Sequence, residues 1–174
     1  MNDLMQRAAK IKLIIFDVDG VLTDGRLIIG DDGQEYKAFN SRDGHGMKML
    51  QNSGVEVAII TGRTSKVVEH RMANLGIRHV FQGQDDKSVA FEKLGATLGV
   101  AADETAYVGD DVIDLPVLLK VGFAVAVADA HPLVKQHSHW QTPNDGGKGA
   151  ARDVCELIME AQGTLDEQMK PYLG

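Results

Sequence analysis

A chain of 174 residues, 44% hydrophobic and 25% charged, has the size and composition of one globular domain, able to bury about 70% of its unfolded surface. Its net charge of -7 argues against a nucleic-acid or anionic-membrane partner, so any anion site has to be assembled locally from a few Lys, Arg and backbone N–H groups. One cysteine rules out an internal disulfide framework and suits a reducing compartment.

Met1–Lys10 is polar with interspersed alanines and predicts a short helix. No signal-like apolar segment precedes the first strand, and no run is long enough to span a bilayer, so a cytoplasmic setting without a membrane partner is expected. Leu13-Ile14-Ile15-Phe16 is wholly apolar, with no polar alternation. That pattern predicts a strand buried on both faces, as in a parallel sheet. The run leads into Asp17-Val18-Asp19-Gly20-Val21-Leu22-Thr23-Asp24, with two carboxylates at i, i+2. Open α/β sheets bind ligands at such strand ends.

Residues 26–29 and 34–39 flank Gly30-Asp31-Asp32-Gly33 and predict a β-hairpin over the end of the Asp17 strand. The polar loop Asn40–Gly46 then feeds a helix with Met47 and Leu50 on its apolar side. Val55–Ile60 reads as a second buried strand, ending at Thr61-Gly62-Arg63. Thr64 or Ser65 caps the next helix, which carries Val67, Val68, Met72 and Leu75 and stops at Gly76. His79–Phe81 is a short strand and Lys87–Leu98 a helix. Thr105–Val108 is a strand ending in Gly109-Asp110-Asp111-Val112-Ile113-Asp114. Leu115–Lys120, Phe123–Val127 and His131–Gln136 follow as helix, strand and short helix. Gly146-Gly147-Lys148-Gly149 precedes a last helix, Ala150–Ala161, where Cys155 reads as a packing residue. The tail, residues 163–174, has no strong period.

Strands alternating with helices predict an α/β fold, a three-layer doubly wound parallel sheet of Rossmann-like type. Residues 1–174 are expected to form a single domain, with a protruding hairpin at about 25–39. No interval is long enough to hold a cap domain. The six histidines show no paired metal-ligand spacing and are given no chemical role.

Parallel strands place Asp17, Asp19, Thr61, Lys87, Asp110, Asp111 and Asp114 on one sheet edge. So many carboxylates repel one another, and a hard divalent cation such as Mg²⁺ relieves the repulsion with two or three oxygen ligands. One Asp can then attack phosphorus, while a second protonates the leaving oxygen and later activates water. Lys87, Thr61 and the Gly62 N–H suit phosphoryl oxygens as charge builds on them.

These motifs, in this order, resemble the haloacid dehalogenase superfamily. The resemblance implies Asp17 as the nucleophile that forms an aspartyl-phosphate, and Asp19 as general acid/base. It implies Thr61 and Lys87 as phosphate binders, and Asp17, the Asp19 carbonyl and Asp110 as Mg²⁺ ligands supported by Asp111 and Asp114. Asp at the second motif position favours phosphate-ester hydrolysis over the dehalogenase and ATPase branches.

From about residue 10 to 161 the chain resembles a capless branch of that superfamily. The segments that carry this are 17–24, 39–44, 60–63, Arg71, 82–83, 109–116 and 146–152. The branch implies a homotetramer whose hairpins form a central barrel and whose tail covers a neighbouring site. It also implies, as substrate, the 8-phosphate of an eight-carbon sugar acid of lipopolysaccharide biosynthesis. A nine-carbon 9-phosphate is the alternative, and a receiver-type signalling domain a more distant one. A phosphorylated sugar acid needs two separated anion sites. Arg63 and Arg71 suit its carboxylate, Asn40, Ser41, Arg42, Asp43 and Gly44 offer donors at a helix N-terminus, and Lys48 lies one turn further on. Lys148 and Arg152 are left without a role.

Overall fold

The computed structural model describes residues 2–174. Eight strands form in chain order: β1 (Leu13–Phe16), β2 (Ile28–Ile29), β3 (Glu35–Tyr36), β4 (Glu56–Ile60), β5 (His79–Phe81), β6 (Thr105–Gly109), β7 (Phe123–Ala126) and β8 (Trp140–Gln141). The helices are α1 (Asp3–Ala9), α2 (Ser41–Asn52), α3 (Lys66–Asn74), α4 (Lys87–Leu98), α5 (Leu115–Leu118), α6 (Pro132–Gln136), α7 (Ala150–Ala161) and α8 (Leu165–Met169). Met1 of the predicted first helix lies outside the described residues.

Six strands make one parallel sheet in the order β5-β4-β1-β6-β7-β8. β1 lies between β4 and β6, with Leu13 opposite Glu56 on one side and Thr105 on the other. All four β1 residues are buried, which is why the run tolerates no polar alternation. The chain winds outward from β1 through β4 and β5, then returns to add β6, β7 and β8 on the other side. The ends of β1, β4 and β6 therefore meet where the winding reverses, the crevice in which open α/β sheets bind ligands. Helices α1, α2 and α7 pack together, as do α4 and α5. The core is one continuous cluster running from Ala8 through the sheet to Met159.

Helices α4 and α7 keep the predicted bounds because strong local signals fix them. The Asp86 side chain caps α4 at the Ser88 N–H, and Gly99 ends it at φ 64°. Val154, Cys155, Ile158 and Met159 form the buried stripe of α7. Ser65 rather than Thr64 caps α3, accepting from the Val67 N–H. The predicted helix 115–120 is shorter, Leu115–Leu118, and follows a 3₁₀ turn at Val112–Asp114. β8 adds a short parallel edge beside β7.

The tail departs most from expectation. Instead of an aperiodic end it forms α8 and a 3₁₀ turn, Lys170–Tyr172. Leu165 and Met169 pack on the core, and the Tyr172 ring meets His45 edge-on at 5.4 Å. The hairpin forms as predicted, but its paired strands are only two residues long. Its Leu27, Ile28, Ile29 and Tyr36 are 51%, 46%, 58% and 53% exposed. Among the described residues no helix is long and apolar enough to cross a membrane.

Candidate active site

Asp17 leaves the end of β1 with its N–H donating to the Val108 carbonyl of β6 at 3.2 Å, and its Oδ1 accepts from the Val18 N–H at 2.7 Å. Beyond it the chain turns tightly, the Val18 carbonyl accepting from the N–H groups of Val21, Leu22 and Thr23. Gly20 has φ 88°, and a Cβ there would lie 1.9 Å from Asp110 Oδ2. Only glycine lets this loop close onto the carboxylate at the end of β6. A second loop backs the first: the Gly147 N–H donates to the Val21 carbonyl at 2.9 Å, and a Cβ on Gly146 would strike the Gly20 oxygen at 1.7 Å. The Gly146-Gly147 dipeptide is thus a brace for the Asp17 loop, a role without a sequence signal because the two loops are far apart in the chain.

Lys87 opens α4, where an ammonium opposes the helix dipole. Its Nζ is buried and lies 2.7 Å from Asp114 Oδ1 and 3.1 Å from Asp17 Oδ2, and donates to the Tyr107 hydroxyl at 3.2 Å. Asp114 is fully buried and fully used. Its Oδ1 accepts from Lys87 and, at 2.6 Å, from the Tyr107 hydroxyl; its Oδ2 accepts from the N–H groups of Asp110 at 2.9 Å and Asp111 at 3.2 Å. Asp114 therefore anchors Lys87 and shapes the Gly109–Asp111 turn. Tyr107 was not legible as a site residue, since in sequence it is simply an apolar-strand aromatic. Asp111 is exposed and caps the following 3₁₀ turn through the Val112 N–H.

Ligand oxygens of Asp17, Asp110 and Asp114 lie within 4.8 Å of one another. Burial, then the Asp114 charge, raises Asp17 to about 7 against the partial opposition of Lys87. Burial, then Asp114 and Asp17, raises Asp110 to about 8. Burial alone would lower Lys87, but the charges of Asp17 and Asp114 outweigh it and hold Lys87 above its usual value. Burial and the same acidic neighbours keep Tyr107 protonated, as its donation to Asp114 requires. When all three carboxylates are ionised, the one ammonium leaves two negative charges uncompensated. An all-oxygen donor set with that deficit fits a hard divalent cation. Each Asp114 oxygen already meets two donors, whereas each Asp17 oxygen meets one, so Asp17 and Asp110 are the side chains with capacity left to hold it.

Thr61, at the end of β4, is buried next to β1, its N–H donating to the Phe81 carbonyl at 2.9 Å. Gly62 follows it in the turn where the Gln84 N–H donates back to the Thr61 carbonyl. The Asp19 carboxylate turns instead towards the hairpin, accepting from Lys37 Nζ at 2.6 Å. Arg63 also meets the hairpin, pairing with Glu35. Lys37 and Glu35 carried no sequence signal, because in a short hairpin charged residues read as the solvated face.

The expected sugar-acid residues divide. Asn40 caps α2 through the Arg42 and Asp43 N–H groups. Asn40, Ser41 and Arg42 line a pocket of about 240 Å³ together with Lys148 and Arg152. Asp43 does not face that pocket: it is buried, and its Oδ1 accepts from the Arg152 N–H at 3.0 Å. It supplies the cap that Gly149, lacking a side chain, cannot give α7. Burial raises its pKa, opposed by the Arg152 and Gly149 N–H groups. Gly44 is buried against Arg71, whose guanidinium also lies over the Phe39 ring at 5.8 Å. Arg71 Nε is buried without a hydrogen-bond partner. Lys48 is exposed on α2. Burial pushes the Cys155 thiol far up, in keeping with packing. His131 and His139 accept from the Leu133 and Ala124 N–H groups, which accounts for them structurally.

A family model described as haloacid dehalogenase-like hydrolase matches residues 76–152. The chain is 54% identical over 165 residues to a 3-deoxy-D-manno-octulosonate 8-phosphate phosphatase of Escherichia coli, covering 95% of this chain and 88% of that one. The crystal structure of a phosphatase of the same name from Yersinia pestis is similar with a TM-score of 0.94 at 53% identity, covering 95% and 89% of the two chains. One from Moraxella catarrhalis, in complex with a magnesium ion, a phosphate ion and a KDO molecule, is similar with a TM-score of 0.96 at 43% identity, covering 99% of each.

Proposed function

The chain belongs to the haloacid dehalogenase-like hydrolases, in the family of 3-deoxy-D-manno-octulosonate 8-phosphate phosphatases, and from that membership we propose that it hydrolyses this sugar-acid phosphate to the free sugar acid and phosphate. The observation that carries the reading is Asp17: a buried carboxylate at the sheet's reversal point, with Lys87 Nζ 3.1 Å from its Oδ2 and Asp110 beside it.

Asp17 attacks phosphorus, forming an O–P bond as the bond to the sugar's terminal oxygen breaks. Asp19 gives its proton to that oxygen. Asp19 then takes a proton from water, which attacks the aspartyl-phosphate and restores Asp17 as phosphate leaves. Lys87, the Thr61 hydroxyl and the Gly62 N–H hold phosphoryl oxygens throughout. Asp17, Asp110 and the Asp19 carbonyl are the ligands for Mg²⁺, which neutralises the negative charge the two reactants bring together. Asp111 and Asp114 support that set by shaping its turn.

Specificity rests on the second anion site. Arg63 and Arg71 are the cations for the sugar acid's carboxylate, and the unpartnered Nε of Arg71 supports this. Asn40, Ser41, Arg42 and Lys48 provide contacts to the sugar, while Gly44, buried on α2, leaves room for the Arg71 guanidinium. Asp43 acts by holding α2 against α7. A homotetramer with a neighbour's contribution to each site is supported by the uncovered hairpin residues Leu27, Ile28, Ile29 and Tyr36. A cytoplasmic place in lipopolysaccharide biosynthesis follows from the substrate.

The test is to trap the intermediate. The Asp19→Asn variant, given p-nitrophenyl phosphate and Mg²⁺, should gain the mass of one phosphoryl group on the Asp17 peptide, removable by hydroxylamine. Full turnover with no adduct in any quenched sample would contradict the scheme.

A further inference from the structure

Four alternating charges run from the Thr61 turn through the hairpin to Asp19. Arg63 pairs with Glu35 Oε1; Glu35 Oε2 lies 3.9 Å from Lys37 Nζ; Lys37 Nζ donates to Asp19 Oδ1 at 2.6 Å. The Lys37 side chain is only 3% exposed. A lysine that merely solubilised a hairpin would carry its ammonium out to water. This one surrenders its hydration to meet two carboxylates. Glu35 Oε2 is buried and has no hydrogen-bond partner, so Lys37 is its nearest compensation. Asp19 itself is 20% exposed along its side chain. Lys37 Nζ is the cation that its carboxylate meets, at hydrogen-bond distance.

We propose that Lys37, steadied by Glu35 and Arg63, is a positioning residue for the catalytic Asp19, so that the hairpin fixes where the general acid/base stands. The inference rests on the reading of Asp19 given above. The chemistry needs the Asp19 carboxyl at the leaving oxygen, and a displacement of about 1 Å can cost roughly a hundredfold in rate. With no cap domain to hold this side of the site, the hairpin takes over that task from within the chain. Lys37 touches neither phosphorus nor metal in this scheme and acts only through Asp19.

A leaving-group comparison separates this role from a structural one. kcat/KM reports the steps up to aspartyl-phosphate formation, where Asp19 protonates the departing oxygen. p-Nitrophenolate departs with little help; phenolate, a stronger base, needs the proton. The Lys37→Met variant should lose at least about tenfold more kcat/KM on phenyl phosphate than on p-nitrophenyl phosphate, the size expected when general acid assistance is impaired. Lys37→Arg should recover most of the difference. Glu35→Gln, which leaves Lys37 in place and is milder on folding, should discriminate in the same direction by a smaller factor. Equal losses on both esters in Lys37→Met and Glu35→Gln, with Asp19→Asn still discriminating, would overturn the positioning role and leave the acid/base reading standing. No discrimination in Asp19→Asn itself would remove that reading and the proposal with it.

Discussion

Asp114 receives four donors from Lys87, Tyr107, Asp110 and Asp111, and its removal takes the nearer of two carboxylates from a buried ammonium and leaves the buried Tyr107 hydroxyl without its acceptor. Asp114→Ala should cost about 3–5 kcal/mol in urea denaturation, the usual penalty for one half of a buried ion pair, and should lower activity through Lys87. Asp17→Asn behaves oppositely. It deletes a charge from a crowded acidic site, so it should leave the melting temperature at or above the parent's while turnover falls by at least about 10⁴-fold. The metal-free protein also has a pH signature. Asp17 and Asp110 sit at about 7 and about 8 in the folded state, above the ordinary carboxylate value they have when unfolded. Between about pH 4 and 8 the folded state therefore binds more protons than the unfolded one, and stability falls as pH rises. Melting temperatures without metal should decline over that window, and Mg²⁺ should flatten the decline while its own affinity rises with pH. A metal-free curve that climbs from pH 5 to 8 would contradict this electrostatic account. That Asp17 and Asp110 would stand together was legible because strand ends fix where such residues lie, whereas Lys87, which opens α4 beyond β5, was singled out only by its place in the order of motifs. Tyr107, Lys37 and Glu35 were not legible, since their roles come from contacts between distant segments.

The elements show the same division between local and distant causes. Helices α4 and α7 carry their own stop signals or apolar stripes, so their bounds followed from the sequence. The tail is built from two short turns that gain stability by packing on α7 and the core, which leaves no period to read. The Gly146-Gly147 brace is the clearest case of a site determinant hidden in a loop. A methyl group on Gly146 meets the Gly20 backbone oxygen, and backbone cannot step aside as a flexible side chain can. Gly146→Ala should therefore destabilise the protein by more than about 2 kcal/mol and depress activity beyond what unfolding explains. An unchanged urea midpoint would show that the two loops do not bear on each other. The hairpin turn signal was legible, but the ion pairs that tie its base to Asp19 and Arg63 were not. On the proposed assembly, Ile29→Asp should shift the sedimentation coefficient to that of a smaller species while the far-UV spectrum is kept. Sedimentation identical to the parent's would remove the hairpin from the interface.

Over the whole molecule, a six-stranded parallel sheet brings the ends of β1, β4 and β6 to one crevice, and among the described residues no inserted domain closes it. The alternation of strands and helices, and the shortness of every interval, made both facts legible in advance. The apolar hairpin residues Leu27, Ile28, Ile29 and Tyr36 stay open in the single chain, and on the proposed assembly a neighbouring copy covers them. On the proposed function one substrate spans a phosphoryl-transfer centre and a second anion site. The decisive measurement is phosphate release with Mg²⁺ from a panel of phosphorylated sugars and sugar acids. 3-Deoxy-D-manno-octulosonate 8-phosphate should exceed simple sugar phosphates by at least about a hundredfold in kcat/KM, as expected when buried polar groups are matched only by the right substrate, and chelation should abolish the activity. Equal, weak release across the panel would contradict the substrate assignment, and release that persists in Asp17→Asn would contradict the chemistry.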